Sequence, residues 1–169
     1  MITTKLKIRL LGDPCLRKKS VPVKKVGPGE RMLIQGMIET MHEYKGVGLA
    51  APQVGINEQI FVADIGEGPI AVINPRITRK KGSQVMEEGC LSIPGVIINV
   101  KRPKEIAVTY LDEHNNKKEC ACDGLLARVI LHETDHLHGK LIVDYLSWPK
   151  KLKMKKQLRE ISQQSKNIL

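Results

Sequence analysis

The chain reads as an α+β domain: small antiparallel or mixed sheets packed around a buried HExxH helix, with a helical tail at the C-terminus. Three observations support this class. Short strand-like runs fill the middle of the chain, at 59–65, 69–75, 95–100 and 104–112. Helical stretches with apolar residues three and four apart bracket them, as amphipathic helices require. The later of these carries HETDH, His132 to His136, on the continuation of an apolar face, so that helix is expected to lie inside the domain.

At 169 residues the chain has the length of one domain with a tail, divided here into a body, 1–148, and a basic extension, 149–169. Hydrophobic residues make up 41%, enough for a packed core, but aromatics only 3%, so that core rests on Ile, Leu, Val and Met. The N-terminus, MITTKLKIRLLGDP, has no sustained apolar run, which reads as no signal peptide and a cytoplasmic protein with no membrane span. In that reducing setting Cys15, Cys90, Cys120 and Cys122 are expected to be free or metal-bound. The formal charge is +10, and the stretch from Trp148 onward holds +6 of it, with seven Lys or Arg against one Glu. Such a tail fits either an anionic partner or a solvated helix face.

In chain order, a turn at Gly12, Asp13 and Pro14 precedes an irregular connection, 21–29. A first helix is predicted from Glu30 to His42, striped by Leu33, Ile34, Met37, Ile38 and Met41. Gly46 and Gly48 end it and open the loop KGVGLAAPQVG. Within 104–112, Ile106, Val108 and Tyr110 alternate with Ala107, Thr109 and Leu111, and a turn at 113–116 leads to a return strand, KKECACD. Asp123 is an N-cap candidate for the second helix, with Gly139 just past its end. After an apolar run, 141–146, Pro149 precedes a third helix from Lys151 to Gln164.

A turn of 3.6 residues stacks His132 above His136, within reach of one metal ion. Glu133 beside them is placed to take a proton from a water. The third ligand then separates hydrolase classes. A metzincin-type histidine would fall at position 142, which is Ile142. Glu160 is the one glutamate past the motif and sits in the basic tail. Upstream, Cys90 in EEGCLSIPG lies on a loop between Gly89 and Leu91, and a thiolate with two imidazoles leaves one tetrahedral position for water. A free cysteine there also reads as a small buried hydrophobe. Cys120 and Cys122 share one strand face without a second pair, so core packing accounts for them. Cys15 has no ligand-like surroundings, and His42, His114 and His138 read as ordinary helix, turn and helix-end residues.

Three separated blocks, GVGLAAPQ (46–53), EGCLS (88–92) and HETDHLHG (132–139), resemble in order and spacing the signature motifs of the peptide deformylases. The resemblance runs from about Leu10 to Leu146. It implies one divalent metal held by Cys90, His132 and His136, ferrous iron in most members and zinc in some. It implies hydrolysis of the N-formyl group from the initiator methionine of nascent chains, releasing formate. Glu133 would carry the proton, with the Gln53 side-chain amide and the Leu91 N–H donating to the oxyanion. Gly48 would pair the backbone of an extended peptide, a contact that accepts many sequences. Val47, Leu91, Leu125 and Val129 would line an apolar methionine pocket, with the Arg128 stem on one wall and its charge reaching water. Glu88 and Arg102 would pair and steady the Cys90 loop, with Asp135 in a similar role. The expected partners are N-formylmethionyl nascent peptides and, through the basic tail, the ribosome, with no membrane.

Two positions depart from the family pattern: Leu131 stands where glutamine is common before HE, and Ile97 near a common arginine. Both touch the periphery of the site. Two other functions compete with the reading. Another small metallopeptidase lacks a reason for GVGLAAPQ beside a Cys-His-His set, and a non-catalytic RNA-binding module lacks a reason for Glu133.

Overall fold

The computed structural model describes residues 6–166; positions 1–5 and 167–169, the outer ends of the body and the extension, lie outside the described residues. After a 3-10 turn at Pro14–Arg17 comes helix α1, Pro28–Glu43. It starts two residues before the predicted Glu30 because Pro28 supplies a preset first turn and the Glu30 carboxylate accepts the Gly27 N–H at 2.7 Å. Strands β1 (Gly48–Ala50), β2 (Ile60–Ala63) and β3 (Ile70–Lys81) follow, then β4 (Gln84–Glu88), β5 (Ile98–Arg102), β6 (Glu105–Leu111) and β7 (Lys117–Asp123). Helix α2 is Gly124–Leu137. Asp123 occupies its N-cap position without a side-chain cap bond, and Gly139 follows its end at φ 72°.

The strands form a five-stranded sheet in the order β1-β2-β3-β6-β7 and a separate two-stranded ribbon, β4-β5. Every pairing between these strands is antiparallel. The period of two along β2 and β3 decides where the helices go. Ile60, Val62, Ala71 and Ile73 cluster with Ile34, Met37 and Met41 of α1. Phe61 and Val72 point the other way and cluster with Ile106, Val108 and with Ala127, Ile130 and Leu137 of α2. The sheet therefore lies between the two helices, and β2 is buried along its whole length.

Sheets and helices do combine in an α+β fold, but the expected organisation around the HExxH helix needs correction. The metal-ligand cluster is Cys90, His132 and His136, so the helix motif supplies two donors and the loop after β4 the third. Helix α2 also lies on one face of the large sheet rather than inside a ring of sheets, since α1 takes the opposite face.

The tail folds as two helices, α3 (Trp148–Lys153) and α4 (Lys155–Lys166), broken at Met154, where one helix was expected. It packs back on the body. Ile161 is buried in a third cluster with Leu16, Ile93, Val96, Val100 and Leu141. Gln157 Nε2 donates to the Gly95 carbonyl at 3.1 Å. No helix among the described residues is long and apolar enough to cross a membrane. Because Ile161 fills part of this cluster, Ile161→Ala is expected to destabilise the protein by about 2–4 kcal/mol, read as a lower urea midpoint at unchanged slope.

Candidate metal centre

The ligand atoms of Cys90, His132 and His136 all lie within 4.8 Å of one another. Helix phase brings the two imidazoles together, and their ring centroids are 5.0 Å apart. Cys90 sits two residues past β4, on a turn closed by the Ile93 N–H to the Cys90 carbonyl at 2.9 Å. Its Sγ is 3.3 Å from His136 Nε2. His132 Nδ1 is 2.9 Å from Glu88 Oε2, which leaves Nε2 as the ring's ligand atom. One thiol and two imidazoles converging at this separation fit a single divalent cation.

Glu88 is buried and fully engaged. Arg102 holds it in a two-point contact, Nε to Oε1 at 2.6 Å and Nη2 to Oε2 at 3.0 Å. Arg128 Nη1 adds a bond to Oε1 at 2.9 Å. Burial alone would raise the carboxyl's pKa, but the bonds from His132, Arg102 and Arg128 outweigh it and bring it down to about 2. Arg102 also reaches Asp135 at 2.8 Å and the Tyr145 hydroxyl at 3.0 Å, and that hydroxyl donates to Asp135 at 2.6 Å.

Glu133 has the opposite environment. Burial pushes its carboxyl up to about 7, against the opposing charges of His132 and Arg102, and its Oε2 has no hydrogen-bond partner among the described residues. A buried carboxyl of this kind beside a metal-ligand cluster is suited to exchange a proton near neutral pH. Gln53, on the 3-10 turn Ala51–Val54, accepts the Ala50 N–H through Oε1 at 2.8 Å. That bond turns Nε2 toward Ser92 Oγ at 3.1 Å and Cys90 Sγ at 3.5 Å.

These groups face a cavity of about 790 Å³ whose apolar lining includes Val47, Leu91, Leu125 and Val129. The sequence pattern of the polypeptide deformylase family matches residues 5–152. The peptide deformylase of Thermotoga maritima is 47% identical over 157 residues, covering 92% of this chain and 96% of that protein. The chain belongs to the polypeptide deformylase family. Its crystallographic relatives agree in fold. The T. maritima structure superposes with a TM-score of 0.83 at 48% identity, covering 85% of this chain and 98% of that one. The Ehrlichia chaffeensis peptide deformylase in complex with actinonin gives 0.89 at 37% identity, covering 95% of this chain and 97% of that one. This chain is accordingly a metal-dependent hydrolase that removes the formyl group from N-formylmethionine at the head of a polypeptide.

Val47, Gly48, Gln53, Cys90, Leu91, Leu125, Arg128, Val129, His132 and Glu133, all singled out in the sequence, border this one cavity, with His136 behind it in the ligand cluster. Arg128 differs from expectation in one respect. Its charge does not reach water: besides Glu88, the guanidinium donates to the Val100 and Gln84 carbonyls, each at 2.8 Å. Position 128 lies one helical turn before His132, on the side where Glu88 already needs cations. Sequence reasoning missed Ser92 and Tyr145. Ser92 lay in view inside EGCLS, whereas Tyr145, on an apolar run, gave no sign of its buried partners.

Gly48 lies where β1 passes closest to α2. A Cβ there would overlap the Glu133 carboxyl oxygen and stand 2.8 Å from Val129 Cγ1. Gly48→Ala is therefore expected to displace Glu133 and lower kcat by about 10²-fold or more, with metal content unchanged, as measured by formate release and metal analysis.

Proposed function

We propose that residues 1–148 carry out deformylation with the roles that follow, in the cytoplasm, on N-formylmethionyl nascent chains. Cys90, His132 and His136 would hold one ion, ferrous iron by family resemblance, while the donor set also suits zinc. Bound there, the ion supplies Lewis acidity, polarising the formyl carbonyl and lowering the pKa of water.

The substrate backbone pairs along the open edge of β1. Val47 C=O accepts from Asp64, on the β2 side, whereas the Ala50 N–H turns away from β2 to Gln53. Polar groups two residues apart on a strand point the same way, so the Gly48 N–H and C=O face the cavity with Ala50. A peptide added to this edge directs its first side chain toward Val47, Leu125 and Val129. Gln53 Nε2 and the Leu91 N–H donate to the oxygen that gains charge when water attacks. Glu133 takes the proton of that water and delivers it to the departing amine nitrogen. The observation that carries this reading is the buried, unpartnered Glu133 oxygen beside the Cys-His-His cluster. Glu133→Ala should lower formate release from formyl-Met-Ala-Ser by about 10³-fold while leaving the metal bound; turnover near wild type would overturn the assignment.

The described part of the extension presents a basic outer face, including the exposed Lys151, Lys155 and Lys156, which suits ribosomal RNA. Deleting the tail would uncover the Ile161 cluster, so charge reversal is the cleaner test. The triple change Lys151→Glu, Lys155→Glu and Lys156→Glu is expected to weaken co-sedimentation with ribosomes at low salt while sparing peptide turnover. Unchanged co-sedimentation would count against a ribosomal contact.

A further inference from the structure

Ile97, 66% exposed, borders two concavities at once. On one side is the cavity over the metal ligands. On the other is a separate groove of about 340 Å³, bounded by Ile98 and Asn99 at the start of β5, by Tyr145 and Leu146, and by Lys150, Lys153 and Met154 of the tail. Its only charged lining groups among the described residues are the two lysines, both exposed, and no carboxylate faces it.

We propose that this groove is a downstream subsite of the cleft, taking an aspartate or glutamate side chain from the formylated chain itself. The proposal rests on the deformylase reading of the cavity. With the methionine directed toward α2 and the backbone running between β1 and Leu91, the following residues leave over the wall from Pro94 to Ile97, which also lines the cavity. Ile97 lines both the cavity and the groove, so a chain that crosses it passes directly from one to the other. Two lysines without a facing carboxylate offer a carboxylate side chain its counter-charge, while the apolar floor at Leu146 and Met154 accommodates its methylenes. The enzyme thereby gains a sequence preference at a distance from the reacting bond, where backbone pairing gives none.

The test uses the full-length enzyme and six-residue formyl-Met peptides of alanine, with one Glu, Ala or Lys placed at each position from the third to the sixth. At low ionic strength, Glu at one of these positions is expected to raise kcat/KM over Ala by roughly two- to tenfold, through KM, and Lys to lower it. The preference should fade in high salt. In the double variant Lys150→Ala, Lys153→Ala the Glu-to-Ala ratio should fall to one, and with both lysines changed to Glu it should invert. The ratio cancels any general loss of activity or folding. A wild-type ratio of one at every position, or a ratio that survives both double variants, overturns the subsite; a groove occupied instead by RNA or lipid gives the first of these results. Formate from none of the peptides would overturn the reading of the cleft itself.

Discussion

The buried carboxylate of Glu88 is the contact on which the rest of the site depends. Its donors come from different elements: Arg102 from β5, Arg128 and His132 from α2. A carboxylate in this position without partners would carry a prohibitive desolvation cost, so the three elements must arrive together or not at all. Once they do, the ring plane of His132, the register of β4 on β5 and the placement of α2 against the ribbon are one constraint. Cys90 follows Glu88 by two residues, so the same contact sets where its thiol stands. Loss of a single partner from such a cluster costs about 3–5 kcal/mol in comparable buried pairs, because the remaining charge is stranded.

That arrangement also separates the two glutamates of the site. Glu88, held by two guanidiniums and an imidazole, is pulled down to about 2 and remains an acceptor throughout. Glu133, buried as deeply but with no donor on Oε2, rises to about 7. Two carboxyls with opposite environments suit different work, Glu88 orienting His132 and Glu133, on the proposed mechanism, moving a proton. The cations that hold Glu88 ionised are themselves fixed from behind: Arg102 by Asp135 and Tyr145, Arg128 by the Gln84 and Val100 carbonyls.

Much of this was legible in the chain because the ligands sit on strongly local signals. HETDH needs only helical spacing to bring His132 and His136 together, whereas Cys90 stands among other readings until EGCLS is matched to the family motif, and the cluster found in the fold is the one that resemblance implies. The alternation in 104–112 likewise announced β6 and its hairpin partner β7. What could not be read was set by tertiary partners. Arg128 looks like a snorkelling cation in sequence and is a buried donor in the fold, because Glu88 is distant in sequence and adjacent in space. The role of α2 was misjudged for the same reason, since the apolar stripe of a helix says that it is buried but not that α1 claims the other face of the sheet. The tail was read from its charge, which dominates its composition; the few apolar residues that fasten it, Ile161 among them, are too sparse to register as a pattern.

The two edges of the five-stranded sheet show how one architecture both permits and forbids pairing. An open edge invites any extended chain, and most proteins defend it. On β7 the defence is charge, with Lys117, Lys118 and Glu119 exposed along the strand. On β1 the defence is length. The strand has three residues, and the Gln53 side chain occupies the Ala50 N–H just as a neighbouring strand would. What remains open is one backbone pair at Gly48, flanked by Leu91 across the cleft and by Glu133 beneath. On the proposed reading, an edge this short would bind a peptide terminus weakly through backbone alone, and the apolar cavity and the metal would supply the remaining affinity. It also cannot template a sheet, which allows the protein to keep it exposed. The short open edge is, on that reading, a condition of the function: it would admit formylmethionyl chains of varied sequence through backbone alone, leaving any sequence preference to side-chain contacts farther along.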